Sequence, residues 1–100
     1  MKCNLKSLGN SCEAVFSGQI TFRDHEDFFN YLSVIHEGKI KECIIDLSGV
    51  DFIDSAALGM FLTVNDQASE KGVGLRLRGA AGKVRNILTA TKLDTVIAVE

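Results

Sequence analysis

The chain has 100 residues, 46% hydrophobic and 24% charged, with nine glycines, no proline and no tryptophan. Those fractions are typical of a soluble globular domain, and this length suits one core of about 13 Å radius of gyration, so a single domain over residues 1–100 is expected. Eleven Lys and Arg against thirteen Asp and Glu leave a net charge of −2, which excludes the dominant basic face that nucleic acid or an anionic membrane demands.

The opening residues 2–7 and 12–20 read as two strands joined by a hairpin at Gly9-Asn10, because that dipeptide accepts the positive φ a tight turn needs. In the second run Cys12, Ala14 and Phe16 alternate with Glu13, Val15 and Ser17, the period of a half-buried strand. Asp24-His25-Glu26-Asp27 then opens a helix, with Asp24 placed to cap it and the acidic first turn suited to the positive end of the dipole. Phe28, Leu32 and Ile35, with Phe29 beside them, form its apolar stripe, and Gly38 is its stop.

Cys43 to Leu47 is a short, Ile-rich apolar run, the pattern of a central strand covered on both faces and parallel to its neighbours. Ser48 to Ile53 read as a connection, followed by a helix from Ser55 to Lys71 that ends at Gly72. Leu58, Phe61, Leu62 and Ala68 are its expected core stripe, leaving Ala56, Gly59, Met60, Thr63 and Val64 outward. Val73, Leu75 and Leu77 alternate with Gly74, Arg76 and Arg78 as a strand. Val84, Ile87, Leu88 and Thr91 mark a third helix, and Val96 to Val99 a last strand. The order is ββαβαβαβ, an α/β domain with a mixed sheet, right-handed crossovers and helices packed on the sheet.

Several candidate chemistries fall away. The longest nearly apolar run, Ala56 to Val64, is far short of the ~20 residues of a bilayer helix, and the N-terminus lacks an apolar signal region, so a cytoplasmic protein is expected. Cys3, Cys12 and Cys43 have no C-x-x-C spacing and no histidine at ligand distance; they read as small buried hydrophobes, not as a metal or redox site. His25 and His36 read as surface residues of the first helix. Arg78-Gly79-Ala80-Ala81-Gly82-Lys83-Val84 has two residues between its glycines where a phosphate loop has four, and a valine where Mg²⁺ needs a hydroxyl. Ser55 lacks a nucleophile elbow, and Asp51 with Asp54 lacks a companion cleft. No enzyme, cofactor or metal is expected.

What remains is Asp54-Ser55, where a buried strand hands over to an amphipathic helix. Two readings of Ser55 fit the residues: a plain helix cap worth roughly 0.5–2 kcal/mol, or an accessible hydroxyl that accepts a phosphate at the positive end of the helix dipole. The small and apolar outward residues favour docking of a partner. Gly59 adds to this, since inside a helix it costs about 1 kcal/mol relative to Ala unless something must approach closely.

Asp54-Ser55-Ala56-Ala57-Leu58-Gly59, after the strand Ile44 to Leu47 and Phe52-Ile53, resembles the D-S-[ST]-G-L-G signature of STAS domains, and above all stand-alone anti-sigma factor antagonists of bacterial partner switching. Chain length, element order and the Ser17-Gly18-Gln19-Ile20 turn extend the likeness over the whole chain. The resemblance implies that a GHKL-type serine kinase, often the anti-sigma factor itself, phosphorylates Ser55, and that a PPM-type serine phosphatase reverses it. It implies that only the unphosphorylated form binds the kinase, with Asp54 positioning the serine and the second helix forming much of the docking surface. Asp54, Ser55, Ala56, Gly59, Met60, Thr63 and Thr21 are thus the expected partner-binding residues.

Three departures stand out. Ala56 replaces the second hydroxyl, Ala57 replaces glycine, and Thr21 stands where many relatives carry Asp. A monomer is expected. The alternative implied by the resemblance is a constitutive STAS subunit of a lipid-transport ABC complex, which needs no phosphate cycle.

Overall fold

In a computed structural model covering residues 1–100, five strands form one sheet in the order β1-β2-β3-β4-β5. They are β1 (Lys2–Leu8), β2 (Ser11–Ile20), β3 (Glu42–Ile53), β4 (Gly74–Arg78) and β5 (Ala98–Val99), and the helices are α1 (His25–Tyr31), α2 (Ser55–Glu70) and α3 (Gly82–Ala90). β1 and β2 are antiparallel about the Gly9-Asn10 turn, with Gly9 at φ 65°, as the hairpin reading requires. The remaining neighbours are parallel, each joined through a helix. The radius of gyration is 12.3 Å.

Sequential strand order with right-handed crossovers places all three helices on the same face of the sheet. Cys12, Ala14, Phe16, Cys43, Ile45, Leu47, Leu75 and Leu77 face them and share one core cluster with Phe28, Leu32, Phe61 and Leu88. The alternate residues Glu13, Ile44, Asp46, Arg76 and Arg78 lie on the opposite face. Ile44 is buried yet stands outside that cluster, so β3 is covered on both faces at Cys43–Ile45 as expected, with the helices on one face only. Salt-bridged side chains take the place of a second helix layer: Arg78 pairs with Glu13 at 2.5 Å and Asp46 at 2.9 Å, and Arg76 pairs with Glu42 and Glu100.

Ser48 to Ile53, read as a connection, continues β3 alongside β2. The pairing shifts register between Val15 and Ser17 and again between Gly18 and Gln19, each time by one extra residue in β3. Two bulges stretch the inward period from two to three residues, so that Leu47, Val50 and Ile53 are buried while the residues between them are exposed. Gly49 fits the close approach at the first bulge, where a Cβ would lie a tight 3.1 Å from the Phe16 carbonyl oxygen. The Ser17–Ile20 segment is likewise strand, with Gly18 at φ 85°.

Other boundaries move for local reasons. A 3-10 turn at Phe22–Asp24 precedes α1, and a second at Leu32–Glu37 finishes it before Gly38 at φ 73°. Phe28, Leu32 and Ile35 are buried as expected. Asp24 does not cap α1; its carboxylate accepts hydrogen bonds from the Thr21 amide and hydroxyl instead, closing the preceding turn. The last strand shrinks to Ala98–Val99, because Leu93–Thr95 form a 3-10 turn.

Candidate functional site

Ile20 and Ile53 pair at the carboxyl ends of β2 and β3, so the two outgoing segments, Thr21–Asp24 and Asp54–Ser55, emerge side by side. Asp54 keeps an extended backbone (φ −98°, ψ 179°) and is the cap of α2, whose first helical residue is Ser55. Its Oδ1 accepts the Ala57 amide at 2.9 Å, and its Oδ2 accepts the Phe22 amide at 3.1 Å. The Asp54 amide in turn donates to the Ile20 carbonyl at 3.4 Å. One residue thereby ties the start of α2 to the turn after β2.

This division of labour removes the capping reading of the serine. The capping that Ser55 was a candidate for is performed by Asp54, and the Ser55 side chain is exposed and takes no part in the hydrogen bonding of the surrounding turn. Its hydroxyl stands at the N-terminus of a sixteen-residue helix, where the first backbone N–H groups lack intrahelical partners and the dipole favours negative charge. Asp54 sits beside Ser55 through the backbone, with both its carboxylate oxygens engaged elsewhere.

The face that α2 presents differs from the expected one. Ala57, Met60, Phe61, Val64 and Ala68 are buried, a stripe at i, i+3, i+4, i+7 and i+11. Met60, expected outward, is 6% exposed and belongs to the core, as does Val64, whereas Leu62, expected inward, is 37% exposed. The helix is thus rotated relative to the sequence reading, with Ala57, Met60, Phe61 and Val64 in the shared core cluster. Ser55, Gly59, Leu62 and Thr63 form the outward strip, with Ala56 and Leu58 half-buried at its margins. Nothing lies within 4 Å of a Cβ built on Gly59, so no element of this chain requires a glycine there. Thr63 turns its hydroxyl back to the Gly59 carbonyl at 2.9 Å.

Thr21 is half-buried beside this strip, its hydroxyl 3.2 Å from Asp24. With Gln19, Phe22, Arg23 and Asp54 it lines an open depression of about 430 Å³. Phe22 escaped the sequence reading. It is 63% exposed and stacks on His25 with centroids 4.7 Å apart and planes 10° from parallel. The available signal was its place off the Phe28, Leu32 and Ile35 stripe, just before the helix.

The remaining candidates stay apart from this region. Cys12 and Cys43 are buried and Cys3 is half-buried, all with free thiols. Burial pushes the thiol of Cys3 up to about 11 and that of Cys43 up to about 12, which keeps them protonated and poorly nucleophilic at neutral pH. His25 and His36 are exposed on and after α1. Gly79 to Ala81 is the turn from β4 into α3, and Gly82 to Val84 open that helix; a Cβ on Gly79 would meet Ser48 Cβ at 3.0 Å. No helix is long and apolar enough to cross a membrane.

Comparison with known proteins follows the same lines. A STAS-domain containing protein of Pseudomonas aeruginosa (strain UCBPP-PA14) is 24% identical over 91 residues, spanning 91% of this chain and 89% of that protein. A putative anti-sigma factor antagonist from Thermotoga maritima superposes with a TM-score of 0.87 at 20% identity, over 97% of this chain and 84% of that one. SpoIIAA of Bacillus in its phosphorylated form gives a TM-score of 0.75 at 14% identity, over 99% and 91% of the two chains. The fold is shared as well by a sulfate transporter family protein from Wolinella succinogenes, with a TM-score of 0.77 at 18% identity over 90% and 75%. Residues 5–100 match the model of the STAS domain, and the chain belongs to that family.

Proposed function

We propose that this STAS domain is a phosphorylation-switched protein-binding regulator, an anti-sigma factor antagonist in a bacterial partner-switching pathway. The observation that carries the reading is the unengaged hydroxyl of Ser55 at the start of α2, with Asp54 doing the capping beside it. Unphosphorylated, the strip Ser55, Ala56, Gly59, Leu62 and Thr63, flanked by Asp54 and Thr21, docks a GHKL-type serine kinase that is also the anti-sigma factor. A PPM-type serine phosphatase restores that state. Met60 supports the strip from beneath and does not touch the partner.

Phosphorylation adds about −1.5 to −2 charges at pH 7. The helix N-terminus accommodates that charge without refolding. A partner face seated on the strip must instead desolvate the dianion next to Asp54, a cost set against a scale on which ~1.4 kcal/mol is tenfold in affinity. Blocking therefore acts at the interface and leaves the fold unchanged.

The test is a pull-down with wild type, Ser55→Ala and Ser55→Asp, with mass spectrometry of the partners and of residue 55. The reading expects Ser55→Ala to bind persistently and Ser55→Asp to lose the kinase; equal binding by both variants refutes it. A second reading is a constitutive subunit of a lipid-transport ABC complex, for which the fold of a sulfate transporter family protein says only that STAS-like domains also occur in transport proteins. There Ser55→Ala is silent and the captured partner is a transporter ATPase.

A further inference from the structure

We infer that Phe22 is a preorganised aromatic anchor for the partner, and that the partner face receiving it is an apolar pocket ringed by Lys and Arg. The inference rests on the binding role proposed above and extends its surface beyond α2. At 63% exposure Phe22 is the most exposed large apolar side chain of the protein. It is nonetheless held at both ends. Its amide donates to Asp54 Oδ2 at 3.1 Å, its carbonyl oxygen lies 2.8 Å from His25 Nδ1, and its ring stacks on the His25 ring. A fixed ring in water contributes little to folding, since its apolar surface is left unburied. On association it brings a large apolar area at small cost in conformational entropy, the property of interface hot spots.

Charge on the two segments that meet at this turn selects the occupant. The segments 17–29 and 49–63 carry Asp24, Glu26, Asp27, Asp51 and Asp54 against a single cation, Arg23. Asp24 is engaged with Thr21 and lies 3.8 Å from the Met1 ammonium, and Asp54 caps α2. Glu26, Asp27 and Asp51 are exposed and unengaged in any salt bridge. A second copy docking here would oppose one acidic rim with another. A different protein with a basic rim around an apolar pocket matches both the ring and its surround, and the same rim steers its approach. Phosphate on Ser55 then sits inside the footprint of the anchor, next to the residue that fixes the Phe22 amide.

The test uses a purified GHKL-type serine kinase that binds the wild-type chain, followed by surface plasmon resonance at several salt concentrations. Phe22→Ala is expected to raise Kd by about tenfold or more, mainly through faster dissociation, with an unchanged melting temperature because the side chain is exposed. The double variant Glu26→Lys/Asp27→Lys is expected to slow association and flatten its salt dependence. If both variants bind as wild type while Ser55→Asp remains blocked, the anchor is refuted and the switch stands. If Ser55→Asp binds as wild type, it is the underlying role that fails.

Discussion

Asp54 Oδ2 accepts the amide of Phe22, 32 residues away in sequence, at 3.1 Å, while Oδ1 of the same carboxylate accepts the Ala57 amide at 2.9 Å. The cap of the switch helix and the clamp on the neighbouring turn are one side chain. This makes the Asp of the Asp54-Ser55 pair structural and frees the Ser. Asp54→Ala is expected to cost about 1–2 kcal/mol, a fall of roughly 5–10 °C in melting temperature for a domain of this size. Asp54→Asn keeps an oxygen for the Ala57 amide but sets an NH2 donor against the Phe22 amide, so it is expected to lose less than Asp54→Ala but not to match wild type. Thermal denaturation by circular dichroism checks the order; equal losses would place the effect in the Phe22 clamp or the charge instead of the cap.

Gly59 lies within α2 with open space where a Cβ would go. Gly59→Ala is therefore expected to stabilise the protein by about 0.8–1 kcal/mol, or about 4 °C in melting temperature. On the proposed role the added methyl lies in the docking strip, so the same variant binds the kinase more weakly. A gain in stability with a loss in affinity is the expected pair of readings; a destabilised Gly59→Ala contradicts the open environment.

The rotation of α2 is testable by two truncations two residues apart, on opposite sides of the helix. Met60→Ala removes a side chain that is 6% exposed and is expected to cost about 2–5 kcal/mol. Leu62→Ala, at an exposed position, is expected to stay within about 0.5 kcal/mol. Urea denaturation of both variants measures the difference, and the reverse ranking restores the stripe expected from sequence.

The response to pH has two limbs with opposite signs. Partial burial works against charge on Asp46, but hydrogen bonds from the Ser48 hydroxyl and amide and from Arg78 prevail, holding the carboxyl below its ordinary value of 3.8. A depressed folded value contributes stability above the unfolded value, lost as pH falls through the folded one. Asp46→Asn should flatten the acid limb below about pH 4. Burial pushes Cys43 the other way, from 9.0 to about 12. The unfolded thiol ionises first, so stability is complete below pH 9 and declines as pH rises from 9 toward 12. Cys43→Ala should lessen that decline, to which Cys3 also contributes, although it lowers stability at every pH by leaving a small cavity. Urea midpoints at stepped pH values report both limbs.

Where apolar residues repeat with an undisturbed period, the element was legible. Cys12, Ala14 and Phe16 keep a period of two, Phe28, Leu32 and Ile35 a helical one, and each is buried as read. The second half of β3 was not, because two bulges give Leu47, Val50 and Ile53 a spacing of three that belongs to neither template. The same ambiguity governed α2. Its residues from Ala56 to Val64 are apolar or small nearly all round, so the chain offers two plausible faces and only packing on the sheet selects one.

The amino-acid sequence by itself determined the class of fold, the order of elements and the Asp54-Ser55 hand-over into a helix, because turn chemistry and apolar period act over a few residues. Tertiary structure alone decided that Asp54 reaches Phe22, that Ser55 is left unengaged, and that Met60 goes inward while Leu62 goes out. Those outcomes depend on β2 and β3 lying in parallel register with bulges that place two distant segments side by side. No local propensity encodes a contact between residues 32 apart; it exists only once the sheet has closed the loop between them.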